Sequence, residues 1–283
     1  MQKQNIKSTL HTAACGAWIG GTMTVPGVSG GSMAMILGIY DRLVTSVNGI
    51  FKKGKFKESF LFLLKFMIGA VVGLFLFAKL ITLLLTHFSM PTRYFFLGAV
   101  AGGAPMIFRA ARIKKVSTSV FVYPIVGIAC ALLISLIPEG IFEISGTGFL
   151  AVLGGIVIQL FGGVIVAIAL VLPGISVSQM LLVLGIYEKL TSAMDALDIM
   201  TLISFLPLVI GVLGGIFLTT SMIERAMSKH PTGTYLIVFG FILGSLPELI
   251  PAQLPMGFDL LFCPLAVVLG FFVVFTISKK ENG

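Results

Sequence analysis

Apolar runs fill most of this chain, and polar residues only punctuate them. The runs cover roughly 8–25, 32–50, 60–86, 93–108 and 117–137, then roughly 149–172, 177–194, 201–222, 234–250 and 260–278. Short polar stretches separate them: Lys52–Lys57, Arg109–Lys115, Pro138–Glu143, Asp195–Asp198, Glu224–Pro231 and Pro251–Asp259. Runs of this kind predict helices in lipid, because hydrocarbon satisfies no free backbone group and a helix satisfies its own. They lack the alternation that the strands of a closed barrel need. The pattern therefore predicts an all-α polytopic membrane protein.

The second set of runs copies the first. Pro26-Gly27-Val28-Ser29, Met33 and Leu37-Gly38-Ile39-Tyr40-Asp41-Arg42-Leu43 return 147 positions later as Pro173-Gly174-Ile175-Ser176, Met180 and Leu184-Gly185-Ile186-Tyr187-Glu188-Lys189-Leu190. Further on, at an offset of 142, Gly69, Gly73, Gly98, Gly102 and Pro105 match Gly211, Gly215, Gly240, Gly244 and Pro247. A held order at a held offset marks a tandem duplication. The chain reads as one integral membrane domain made of repeat 1 (residues 1–140) and repeat 2 (residues 141–283).

Charge orients the copies. Lys3 and Lys7 precede the first run, and Lys52, Lys53, Lys55 and Lys57 follow the second, so both ends of that pair are expected on the cytoplasmic side. Three crossings follow, passing Arg109, Arg112, Lys114 and Lys115 inside. The loop with Glu139 and Glu143 then falls outside, as do Asp195 and Asp198. Three more crossings pass Arg225 and Lys229 and end at Lys279 and Lys280, again inside. Three full crossings per copy is an odd number, so the repeats are expected to be inverted, with both termini cytoplasmic, as in many secondary transporters. The first pair of runs in each repeat reads as a helical hairpin. It is either re-entrant, with its Pro-Gly-x-Ser tip near mid-membrane, or two full spans joined by a tight bend; both give an even number of crossings.

Composition closes off other classes. Hydrophobic residues make up 57% and charged residues 11% of the 283, too little charge to cover a water-facing surface. The net charge of +8 sits in short loops where it sets topology, so no nucleic-acid partner is expected. Cys15, Cys130 and Cys263 lie far apart in apolar stretches without metal spacing. The three histidines are scattered, and residues 20–36 and 159–187 hold no Asp, Glu, His, Lys or Arg. No nucleophile–base arrangement follows from such tips, and the chain is not expected to be an enzyme.

The tips suggest anion binding instead. Ser29-Gly30-Gly31-Ser32 opens a helix expected to continue to about Asn48. Helix N-termini present unsatisfied N–H groups, glycine lets backbone approach closely, and serine adds hydroxyl donors. Ser176, Ser178 and Gln179 open the corresponding helix of repeat 2. Two inverted tips meeting near the midplane would form one site for a phosphate-sized group, although Gly and Ser also serve simple helix packing. Arg42 and Lys189 occupy equivalent places further along, each after an acid (Asp41, Glu188). They read either as phosphate-binding cations or as interfacial side chains reaching for water. Arg109 and Arg112 are a weaker suggestion for a head group, and Glu248 for a proton carrier.

The run Val25-Pro26-Gly27-Val28-Ser29-Gly30-Gly31-Ser32-Met33-Ala34 through Leu37-Gly38-Ile39-Tyr40, with its degenerate copy, strongly resembles the bacterial polyprenyl-phosphate (undecaprenyl-phosphate) transporter family, long catalogued as a membrane domain of unknown function. The resemblance covers essentially the whole chain. It implies a transporter of the cytoplasmic membrane that returns undecaprenyl phosphate from the outer to the inner leaflet for cell-envelope synthesis. It also implies a polyprenyl phosphate lipid as the partner within the bilayer and no cofactor, with coupling to H+ or Na+ left open. The second tip departs from the pattern, reading Ile-Ser-Val-Ser, so the tips are expected to play unequal roles. Two rivals remain at this stage: an intramembrane undecaprenyl-pyrophosphate phosphatase, which the acid-free tips disfavour, and an ion-coupled small-anion transporter.

Overall fold

The computed structural model describes residues 2–23, 28–113, 117–140, 149–251 and 253–280. The Pro26-Gly27 turn, Lys114, Lys115 and Glu143 lie outside them. Every regular element among the described residues is helical. Repeat 1 contributes α1 (Gln2–Thr22), α2 (Gly30–Ile36), α3 (Tyr40–Gly49), α4 (Phe56–His87), α5 (Ser89–Ala110) and α6 (Thr118–Ser135). Repeat 2 contributes α7 (Phe149–Val171), α8 (Val177–Val183), α9 (Tyr187–Asp195), α10 (Ile199–Ser204), α11 (Leu206–Lys229), α12 (Pro231–Ser245), a 3₁₀ turn (Leu246–Leu249) and α13 (Asp259–Lys280).

Among the described residues six helices are long and apolar enough to cross a membrane: Phe56–His87, Thr118–Ser135, Leu153–Val171, Leu206–Lys229, Pro231–Leu249 and Asp259–Ile277. Their outer faces are bare hydrocarbon: Phe75 is 76% exposed, Phe161 70% and Leu133 66%. Water would not tolerate such a belt, whereas lipid does. The 22-residue α5 falls outside the six because its load is carried by small residues. Gly98, Ala99, Gly102 and Gly103 are buried in the middle of the protein, and at a rise of 1.5 Å per residue the helix still measures about 33 Å.

Glycine sets how the long helices meet. A Cβ on Gly69 would lie 2.1 Å from the Ala13 carbonyl oxygen, and one on Gly73 2.0 Å from that of Ala17, so α1 and α4 run side by side in the same direction. The same contacts recur in repeat 2, where Gly211 lies against Leu160 and Gly215 against Val164. The last two long helices of each half are exchanged between the halves. Gly98 and Gly102 of α5 pack on Val267 and Phe271 of α13, while Gly240 and Gly244 of α12 pack on Pro124 and Ile128 of α6. Close small-residue crossings supply the dispersion contact that holds helices together in lipid, where no hydrophobic drive between them exists. Gly211→Leu, whose first side-chain atom would meet the Leu160 carbonyl oxygen at 2.2 Å, is therefore expected to sharply reduce the yield of monodisperse protein in detergent. Gly214→Leu, with nothing within 4 Å, is expected to be tolerated; size-exclusion profiles of the two variants check this.

The hairpins correct one sequence expectation. The helix predicted to run from the first tip to about Asn48 is broken at Gly38 (φ 75°). The Ile39 amide bonds the Ala34 carbonyl at 3.0 Å and the Gly38 amide that of Met35 at 3.1 Å, a paired C-terminal closure that needs a left-handed residue. Repeat 2 breaks likewise at Gly185 (φ 68°), with Ile186 bonded to Leu181 and Gly185 to Leu182, both at 2.9 Å. The shared Leu-Gly-Ile-Tyr run is thus a helix stop followed by a new start at Tyr40 or Tyr187. On the other side of repeat 2, Asp198 caps α10 through the Met200 and Thr201 amides. Those bonds and the Thr201 hydroxyl hold its carboxyl below the usual carboxylate range.

Candidate functional site

The two hairpin tips touch. A Cβ on Gly31 would stand 3.2 Å from the backbone N and Cα of Pro173 and 3.3 Å from the Val171 carbonyl oxygen. The same Val171 carbonyl accepts a hydrogen bond from the Tyr40 hydroxyl at 2.9 Å. Pro173 is wholly buried, and Gly174 (φ 84°) sits where a side chain would strike the Phe241 carbonyl at 2.3 Å. Ser32 is 4% exposed, and among the described residues its hydroxyl has no hydrogen-bond partner.

The remaining site residues named from sequence fall as follows. Ser29 and Gly30 are partly buried at the start of α2, and the Ser29 side chain makes no cap. Ser176 caps α8, accepting from the Gln179 amide at 3.4 Å, whereas Ser178 is exposed. Both α2 and α8 are only seven residues long, so each offers a much smaller dipole than the continuous helix expected from sequence. Arg42 and Lys189 do not join the tips. Arg42 is exposed, with its guanidinium 4.5 Å above the Phe62 ring of α4, and Lys189 is exposed on α9. Among the described residues no hydrogen bond or ion pair ties either to a tip. Glu248 is exposed in the 3₁₀ turn.

Two polar groupings were not assembled from the sequence, which offered Arg112 as a head-group suggestion and Asp41 only as the acid before Arg42. The first is a cavity of about 500 Å³ where α3, the end of α5 and the α11–α12 corner converge. Asp41 enters it and accepts a short hydrogen bond from the Tyr235 hydroxyl of α12. Arg112 lines it from the turn after α5, held at φ 50°, a left-handed conformation that costs a non-glycine residue about 1–3 kcal/mol. Thr232 fixes that turn by donating to the Ala111 carbonyl at 2.7 Å. The second grouping centres on Asn48, 2% exposed. Its Oδ1 accepts from Thr220 (3.0 Å) and Ser221 (2.9 Å), its Nδ2 donates to Glu224 (2.6 Å), and Lys52 closes the group at 2.9 Å from the other Glu224 oxygen. A fully satisfied polar group of this kind ties the first hairpin to α11. The signal available in sequence was an Asn and a Thr-Thr-Ser-x-x-Glu run inside apolar segments.

A bundle of apolar helices around two touching hairpin tips defines a multi-pass membrane protein. The chain belongs to the family of undecaprenyl phosphate translocase-like (VCA0040-like) proteins, whose family model matches residues 19–256. It is 33% identical to the polyprenyl-phosphate transporter of Staphylococcus aureus (strain NCTC 8325 / PS 47), over 90% of this chain and 91% of that one. It is 29% identical to the polyprenyl-phosphate transporter of Vibrio cholerae serotype O1 (strain ATCC 39315 / El Tor Inaba N16961), over 86% of this chain and 78% of that one. No solved structure matches it.

Proposed function

We propose that this protein carries a polyprenyl phosphate of the undecaprenyl class from the outer to the inner leaflet of the cytoplasmic membrane, returning the carrier for cell-envelope synthesis. The observation that carries this reading is the contact of the two tips at Gly31 and Pro173 beside the unpartnered, buried Ser32 hydroxyl. A charged group at the bilayer centre costs roughly 2.5–3.5 kcal/mol even on insertion scales. A transporter must therefore offer polar groups at depth while the apolar tail stays in lipid. Ser29, Gly30, Gly31 and Ser32 from one tip, with Ser176, Ser178 and Gln179 from the other, form the passage for the phosphate. Arg42 and Lys189 serve the two interfaces as exposed cations that meet the head group before and after passage. The protein acts as a carrier rather than an enzyme, and a coupling H+ or Na+ supplies the direction.

The helix directions support inverted repeats. Helix α1 runs with α4, α7 with α11, α5 with α13 and α6 with α12. Tight turns reverse the chain between α4 and α5 and again between α11 and α12. Thr232 meets Ala111 and Phe239 meets Phe108, so α5 runs against α12 and hence against α6; α4 and α11 then point in opposite senses, which supports reading one repeat as the other turned over. Each hairpin is re-entrant in this reading, and both termini are cytoplasmic. Cysteines placed at Lys53 and Leu197 are expected to be labelled from opposite faces of the membrane. Labelling of both from one face would contradict the inversion.

Ser32→Ala separates function from packing. Leaving a buried hydroxyl unpaired costs about 1–3 kcal/mol, so the alanine variant is expected to melt at a higher temperature than wild type while transporting several-fold more slowly. Faster melting, or unchanged transport, would remove Ser32 from the phosphate path.

A further inference from the structure

We propose that Arg112 and Tyr235 bind the phosphate monoester of the transported lipid at the cytoplasmic mouth, and that Asp41 holds their place while the head group is absent. The inference rests on the transport reading above and adds to it a site outside the tips. Among the described residues, Arg112 is the cation that lines this cavity. Arg42 is turned to Phe62, and Lys52 is committed to Glu224. Glu224 also lines the cavity, but Lys52 and Asn48 already occupy its oxygens. Asp41 therefore remains as the anion facing Arg112, and it takes the hydrogen bond of the Tyr235 hydroxyl. The Tyr235 phenol and the Arg112 guanidinium that face this carboxylate are the donors a phosphate needs, since arginine grips phosphate with two parallel N–H groups. Val44 and Met227 add apolar wall to the same cavity, suited to the first carbons of a lipid tail.

The turn favours this reading over a purely structural one. At φ 50° glycine would suit the backbone better than arginine, so the side chain is kept there despite the conformation. The exchange also has a mechanical consequence. The Asp41–Tyr235 bond joins α3 of the first hairpin to α12, across 194 positions of sequence. A phosphate that takes Tyr235 and Arg112 from Asp41 releases the hairpin from α12, so binding loosens the element whose tip lies on the transport path.

Binding of farnesyl phosphate, farnesol and inorganic phosphate to the full chain in detergent tests this. Arg112→Gly is expected to weaken farnesyl phosphate about tenfold or more while keeping or raising the melting temperature, and Arg112→Lys to restore part of the affinity. Asp41→Asn, which removes the competing charge and can still accept from Tyr235, is expected to tighten binding several-fold. Farnesol binding should not change in any variant. Wild-type affinity in Arg112→Gly, or weaker binding in Asp41→Asn, would overturn the assignment. Inorganic phosphate binding as tightly as farnesyl phosphate would make this a free-anion site and overturn the lipid assignment. Failure of the wild type to bind farnesyl phosphate, with inorganic phosphate still sensitive to Arg112→Gly, would count against the transport reading and not against the anion site.

Discussion

Gly31→Val is expected to reduce polyprenyl phosphate transport to background while the protein still inserts and purifies as wild type does. The added Cβ would stand 3.2 Å from Pro173 N and Cα and 3.3 Å from the Val171 carbonyl. All three are backbone atoms, so no side-chain rotation makes room, and valine adds two further methyl groups at once. Pro173 cannot retreat, because it is fully buried and followed by Gly174 packed on Phe241. The tips must part, closing or misaligning the polar passage. The large glycine interfaces of α4, α5, α11 and α12 are elsewhere and keep the bundle assembled. Gly31→Ala, which needs a shift of only a few tenths of an ångström, is expected to fall between the two. Wild-type transport by Gly31→Val would make the tip a packing turn and nothing more.

Asn48→Leu is expected to destabilise the protein by about 2–4 kcal/mol, read as a clear fall in thermal midpoint. The substitution removes the Asn48 acceptor from the Thr220 and Ser221 hydroxyls and one of the hydrogen bonds to Glu224. Each buried polar group left unpaired costs about 1–3 kcal/mol. Thr220 keeps its bond to the Ile216 carbonyl at 2.7 Å, which holds the total below a simple sum. Combining Asn48→Leu with Glu224→Leu should cost less than the two single losses added together, because the partners belong to one group. An unchanged midpoint in Asn48→Leu would mean that the hairpin does not depend on this tie to α11.

Much of this architecture was written in the order of apolar runs and in the repeated glycines. The pairs Gly69/Gly211 and Gly73/Gly215, found as sequence matches, are the residues at which α1 meets α4 and α7 meets α11. The helix stops at Gly38 and Gly185 were harder to see. In an apolar run a glycine within a helix and a glycine ending one look alike, and only the positive φ separates them. The exchange of α6 and α13 between repeats left no local mark, since either helix could have packed on its own repeat with the same small-residue faces. The Asp41–Tyr235 and Asn48–Glu224 contacts span 194 and 176 positions. Local pattern does not choose among such distant partners. It did flag Asp41, but only as the acid preceding Arg42, whereas three-dimensional packing gives Asp41 to Tyr235 and Arg42 to Phe62.

The most direct measurement is translocation of a fluorescent polyprenyl phosphate across vesicles that contain this protein alone, followed by quenching of the outward-facing probe. Wild-type vesicles should exchange the phosphate lipid between leaflets well above protein-free vesicles and above vesicles holding Gly31→Val, while the corresponding polyprenol, which crosses unaided, shows no dependence on the protein. Equal exchange of polyprenyl phosphate in wild-type and protein-free vesicles would contradict the account.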